Sequence, residues 1–103
     1  MDHVIPHDLD AATARRVAEK AFASYAARFA SYDPKLEWSD DRHAKIGMTA
    51  LGTRLKGTMA LDDKAIRVDL DVPFLMRPFR AKAIEVVDRE VKTWIEKAHA
   101  GEV

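Results

Sequence analysis

The sequence predicts an α+β fold, a two-layer sandwich in which an antiparallel meander of four or five strands carries two helices on one face. Three observations predict it. Apolar residues recur at helical spacing from Leu9 to about Tyr32, and again from Pro78 to about His99. Between those stretches lie four short segments in which apolar and polar residues alternate, the period of a half-buried strand. The joints between the segments are short and turn-prone, with no room for a crossover helix, so neighbouring strands run antiparallel. With 103 residues the chain has material for one core, and residues 1–103 are expected to form a single domain.

The order expected is α-β-β-β-β-α, with Val4-Ile5 ahead of Pro6 as a short N-terminal edge strand, because a proline removes a ladder donor. In the first helix Ala14, Val17, Ala18, Ala21, Phe22, Tyr25 and Phe29 share a face, and Arg16, Glu19, Lys20 and Ala23 lie opposite. Asp8 or Asp10 caps its start, and Pro34 disfavours helical geometry at Asp33, so the helix should end near Ser31 or Tyr32. The strands then place Leu36 with Trp38, Ala44 with Ile46 and Met48, and Leu55 with Gly57, Met59 and Leu61 on one face. The last strand alternates most cleanly: Ile66, Val68, Leu70 and Val72 point inward, Arg67, Asp69 and Asp71 outward. Asp40-Asp41, Leu51-Gly52 and Asp62-Asp63 make the turns. The closing helix begins at Pro78, a favourable first helical residue, and is ended by Gly101. Its stripe is Ala83, Ile84, Val87, Val91, Trp94 and Ala98, with Phe79 and Val86 to one side and Ile95 to the other. That surface is wider than one sheet contact requires. Leu36, Trp38, Ile46, Met48, Leu55, Met59, Val68, Leu70, Val87, Val91 and Trp94 are expected in one core.

Composition argues against several classes of function. Lys plus Arg equals Asp plus Glu at 17 each, and the two signs are interspersed, so no basic stripe exists for nucleic acid. No cysteine means no disulfide framework, thiolate nucleophile or Cys-rich zinc site. No apolar run approaches the ~20 residues of a membrane span, and the N-terminus lacks a basic, apolar leader, so a cytoplasmic protein is expected.

The inventory of chemistry is thin. His3, His7, His43 and His99 show no metal-ligand spacing, so neither a metal nor a cofactor is expected. His7 beside Asp8 has two readings, a nucleophile's base or a polar residue bonding backbone where the first helix begins; the second is expected. Asp69 and Asp71 share a strand face, but that face is solvated and holds Arg67, so they read as a surface charge row. Asp40-Asp41 and Asp62-Asp63 lack the oxygen-rich loop calcium needs. No glycine spacing cradles phosphate, and no serine lies in a nucleophile elbow. Enzyme activity is not expected.

Three stretches carry a resemblance: I-P-H-D-L-D-A-A-T-A-R-R-V (Ile5 to Val17), the meander, and D-V-P-F-L-M-R-P-F-R-A-K-A-I-E (Asp71 to Glu85). Together they resemble the polyhydroxyalkanoic acid system family of polyester-accumulating bacteria over nearly the whole chain. The more specific matches are His7 with Leu9, Gly57, and Phe74-Leu75 followed by Pro78. The Ala-rich first helix and Tyr32-Asp33-Pro34 depart from the family's pattern. The resemblance implies association with polyhydroxyalkanoate storage granules and supplies no catalytic residues.

The function expected is therefore non-enzymatic binding or regulation in polyester storage, through a granule surface or a granule-associated protein. Phe74, Leu75, Met76 and Phe79 are the candidate hydrophobic contact, with Arg77, Arg80 and Lys82 as its polar rim. One alternative is a small carrier that holds an acyl or hydroxyacyl ligand between helices and sheet, where Met48, Met59, Met76, Ala44 and Gly57 would leave room. Another is an enzyme on hydroxyacyl substrates. A cavity lined by both helices favours the carrier, an exposed continuous apolar patch the surface binder, and a buried His–carboxylate pair in a cleft the enzyme.

Overall fold

The computed structural model of the protein describes residues 2–50 and 52–103, excepting the side chains of Ala50, Phe74, Leu75 and Phe79. Its elements are β1 (Asp2–Pro6), α1 (Ala11–Arg28), β2 (Lys35–Trp38), β3 (His43–Ala50), β4 (Thr53–Leu61), β5 (Ala65–Asp71) and α2 (Arg80–His99). Two 3-10 segments, Ala30–Tyr32 and Phe74–Phe79, follow α1 and precede α2. The five strands form one antiparallel sheet in the order β1-β5-β4-β3-β2. The meander is therefore as expected, and the N-terminal segment joins it as an edge strand beside β5.

The register carries the core. In β5, Ile66 and Val68 are buried while Arg67, Asp69 and Asp71 face solvent. Ile66 stands between Ile5 and Leu61, and Val68 stands level with Met59 and, across β3 and β2, with Ala44 and Trp38. Leu70 stands level with Gly57, Ile46 and Leu36, and Leu55 faces Met48 nearer the β3–β4 turn. Packing is densest where β1 joins the sheet: Ile5, Ile66 and Val17 of α1 are the largest fully buried side chains. Met48 and Leu55, expected in the core, lie outside its buried cluster, whereas Ile95, expected at the side of the stripe, is inside it. The reason is β1, which adds a strand under the C-terminal half of α2 and draws the core toward Ile5.

Both helices are fixed by polar contacts as well as burial. The Asp10 carboxylate accepts the Thr13 N–H at 2.7 Å and caps α1. The Arg15 guanidinium lies 4.0 Å from the Trp38 ring centre and donates to the Asp41 carbonyl at 3.2 Å, which holds the start of α1 over β2. His3 Nε2 lies 2.8 Å from the Asp88 carboxylate, and His99 Nε2 lies 2.6 Å from that of Asp8, so the N-terminal segment is joined to α2 twice. At the end of α2 the Glu102 N–H donates to the Lys97 carbonyl and the Gly101 N–H to Ala98, with Gly101 at φ 77°.

Two boundaries differ from expectation. Helix α1 ends at Arg28, and the chain tightens into the 3-10 turn in which Phe29 and Tyr32 stack with ring centres 6.0 Å apart. Asp33 then takes φ 49° ahead of Pro34. Pro78 lies inside the second 3-10 segment, which the Met76 N–H opens by donating to the Pro73 carbonyl, and α2 proper starts at Arg80. Of the Leu51-Gly52 turn, Leu51 lies outside the described residues, and Gly52 takes φ 76°.

Because one end of the sandwich is tightly filled, the cost of truncation should depend on position. Ile66→Ala is expected to destabilise by about 3–5 kcal/mol, and Met48→Ala by less than about 2 kcal/mol, since space already surrounds it. Urea titration, with the slope unchanged, measures both. A second expectation concerns acid. Hydrogen bonds from His3 and then Lys92 hold the Asp88 carboxyl below its usual range, so its contribution is present above about pH 4 and is lost as pH falls through the lowered value. Stability measured against pH should show the gap between wild type and Asp88→Asn closing below about pH 4.

Candidate functional site

The open end of the sandwich is hollow. A cavity of about 420 Å³ lies between α1, α2 and the sheet, with the C-terminal half of α1 and the N-terminal half of α2 as its sides. Helix α1 contributes Ala18, Ala21, Phe22, Tyr25 and Phe29; α2 contributes Ala83, Val86, Val87, Glu90 and Val91. The floor comes from Ile46, Met48, Leu55, Gly57, Met59 and Leu70, and Met76 of the 3-10 segment also reaches it. Short side chains explain the space. Ala18, Ala21 and Ala83 offer only methyl groups to it, and Gly57 leaves the middle of the floor without a side chain. A Cβ on Gly57 would come within 2.6 Å of the Asp69 carbonyl oxygen and 3.0 Å of Leu70 Cδ2, so the sheet itself requires glycine there.

Two polar groups interrupt the apolar wall. Tyr25 is half-buried, and its hydroxyl donates to the Met48 thioether at 3.4 Å, a weak acceptor that leaves bonding capacity unused. Burial pushes the Tyr25 phenol above its ordinary value, so at neutral pH it stays a protonated donor. The second group is Glu90, which is only 8% exposed. Its carboxylate accepts from the Arg28 guanidinium and from Trp94 Nε1, the latter at 3.2 Å. This ion pair ties the end of α1 to the middle of α2 at the side of the cavity. Lys82 of α2 also lines it and is exposed, whereas Lys56 and Asp71, paired across β4 and β5, border it from strand positions whose side chains face the solvated side of the sheet.

The expected contact residues distribute unevenly about this cavity. Met76 is buried at 7% exposure and lines the interior, so it is no part of an outward patch. The side chains of Phe74, Leu75 and Phe79 lie outside the described residues. Of the rim residues, Lys82 lines the cavity, while Arg77 is exposed and Arg80 half-buried, each already engaged in interactions of its own. Met48, Met59 and Gly57, singled out for a carrier, all line the cavity, whereas Ala44 is buried in the filled core. His7 Nδ1 accepts the Leu9 N–H at 3.0 Å, the backbone role expected where the first helix approaches. Among the described residues no group of three His, Asp or Glu side chains is placed to hold a metal ion. No helix there is long and apolar enough to cross a membrane.

Residues 3–95 match the family described as "Putative polyhydroxyalkanoic acid system protein". The chain belongs to this family. The matched region of the polyhydroxyalkanoic acid system family includes every cavity-lining residue from Ala18 to Val91. Comparison with curated proteins and with solved structures gives no match.

Sequence reasoning missed Arg28 and Glu90. A signal was present: Glu90 lies three residues after Val87 and four before Trp94, which puts a carboxylate on the apolar stripe of α2. The pair is expected to be asymmetric in its energetics. Arg28→Ala leaves the Glu90 carboxylate buried without its charge partner and should destabilise by about 1–3 kcal/mol, while Arg28→Leu combined with Glu90→Leu should recover most of that loss. Thermal or denaturant unfolding of the two variants against wild type measures the difference.

Proposed function

We propose that the protein is a non-enzymatic binder in the polyhydroxyalkanoic acid system, and that it receives an acyl or hydroxyacyl chain in the cavity between helices and sheet. The observation that carries this reading is the cavity itself, about 420 Å³, lined by both helices and almost wholly by apolar side chains. At the ~30 Å³ that a water-sized group occupies in a liquid, it accommodates about a dozen non-hydrogen atoms, the size of a medium-length acyl chain. Each methylene buried contributes about 0.8 kcal/mol, so roughly nine of them supply about 7 kcal/mol before association costs. The Tyr25 hydroxyl offers a hydrogen bond to a hydroxyl or ester oxygen on such a chain. Membership of the polyhydroxyalkanoic acid system family supports a hydroxyacyl chain as the ligand on this reading.

A granule contact through Phe74, Leu75 and Phe79 is the second reading. In its favour, Val72 and Met76, which bracket Phe74 and Leu75 in the chain, both line the cavity, so this segment is part of the cavity's surroundings. On that reading the cavity and the corner act together, the chain end of a polymer or acyl group entering beside the corner.

Calorimetric titration with methyl 3-hydroxydecanoate tests the cavity reading. Wild type is expected to bind one molecule saturably, and Ala83→Phe, which puts a ring into the space while leaving the filled core intact, should abolish that binding yet remain folded by circular dichroism. A folded wild-type protein that takes up no ester, or an Ala83→Phe variant that binds it as well as wild type, would contradict the reading.

A further inference from the structure

We infer that Tyr25 makes the cavity selective for a chain carrying a hydroxyl within the first few carbons of its head, over the same chain without one. This rests on the cavity reading above and adds the chemical class of the chain and its direction. Tyr25 and Met48 both line the space, and the phenol gives its single proton to the Met48 thioether at 3.4 Å. Among the described residues no N–H or O–H donates to the phenol oxygen, so its acceptor capacity is unused. A ligand hydroxyl that donates to it completes a chain of two hydrogen bonds, ligand to Tyr25 and Tyr25 to Met48, and no existing bond is given up. A methylene in the same place gains nothing from the phenol.

The other polar groups of the lining are engaged or lie elsewhere. Both partners of the Glu90 carboxylate, Arg28 and Trp94, lie outside the lining, so its oxygens are held by groups beyond the wall. Lys82 and Tyr32 are exposed, and the side chains of Lys56 and Asp71 face the far side of the sheet. Position then sets the direction. Ala18, Ala21, Met59 and Val91 line the cavity and belong also to the buried core cluster, so its inner end is walled by methyl groups and a thioether. Tyr25 comes about 10 Å along α1 from Ala18, and Met48 about 13 Å along β3 from the buried Ala44, so their contact sits toward the open end. A chain whose tail fills the inner end brings its first few carbons to Tyr25. A hydroxyl on the tail would instead be buried with no partner better than a thioether.

The test titrates the intact protein calorimetrically with methyl decanoate, methyl 3-hydroxydecanoate and methyl 10-hydroxydecanoate. The 3-hydroxy ester is expected to bind about three- to tenfold more tightly than the plain ester, the gain of one hydrogen bond. The 10-hydroxy ester should bind about fivefold or more weakly than the plain one. In Tyr25→Phe, which removes one oxygen bonded only to a thioether, the ratio of the 3-hydroxy to the plain affinity should fall to about one. NMR contacts in wild type from the Tyr25 ring to the carbinol proton of the bound 3-hydroxy ester should make the same assignment without a variant. Equal affinity of wild type for the 3-hydroxy and plain esters would overturn the inference and leave the cavity reading standing. So would a preference undiminished in Tyr25→Phe, a 10-hydroxy ester bound as tightly as the 3-hydroxy one, or a carbinol proton with no contact to the Tyr25 ring. Failure of all three esters to bind would overturn the cavity reading itself and this inference with it.

Discussion

A sheet with one apolar face has to be covered along its whole length, and in this protein the cover is anchored at one end only. Ile5 of β1, Ile66 of β5 and Val17 of α1 meet there with no exposed surface left. Everything else is arranged from that contact. The added edge strand β1 widens the platform under α2, and the two His–Asp contacts from the N-terminal segment hold α2 against it. With the first half of α1 pinned over Trp38 by Arg15, and the second half of α2 seated beside β1, the remaining halves cover the far end of the sheet together. They do so without filling it.

That end stays open because the residues facing it are small or because the backbone forbids anything larger. Alanines on both helices and Gly57 on the floor supply too little volume to close the space. A void of this size is a standing loss of packing contacts for a small domain. The Arg28–Glu90 pair then has a structural meaning, since it joins the helices at the side of the cavity. Replacing contact by charge in this way keeps the helices in place without closing the space between them.

Much of this was legible in the sequence. Alternation in A-I-R-V-D-L-D placed Ile66, Val68 and Leu70 on the correct face, because a strand's period of two admits only two registers and one of them buries three charges. The apolar face of α1 was equally clear from Ala14, Val17, Ala18 and Ala21. The cavity was less so. Periodicity reports which side chains point inward but carries no information on whether opposing faces touch, and Met48 and Leu55 have the pattern of core residues while bordering space. The stretch Val72 to Phe79 reads as a strand-to-helix corner with a proline cap, yet its backbone is a 3-10 segment and Met76 turns inward. Short 3-10 turns have no distinctive period, so Pro78 pointed to the helix start and missed it by two residues.

The central claim is that the space between the helices is where an apolar chain goes. It is tested most directly by methyl-resolved NMR of methionine-labelled protein titrated with a medium-chain acyl ligand, observing contacts between the ligand's terminal methyl and the methionine methyls. Met48, Met59 and Met76 border the cavity from β3, β4 and the segment before α2, so together they report on its interior. The account predicts intermolecular contacts from the chain terminus to these methyls, with saturation at one ligand per protein. A ligand that binds saturably while its tail contacts none of the three methionines would contradict it.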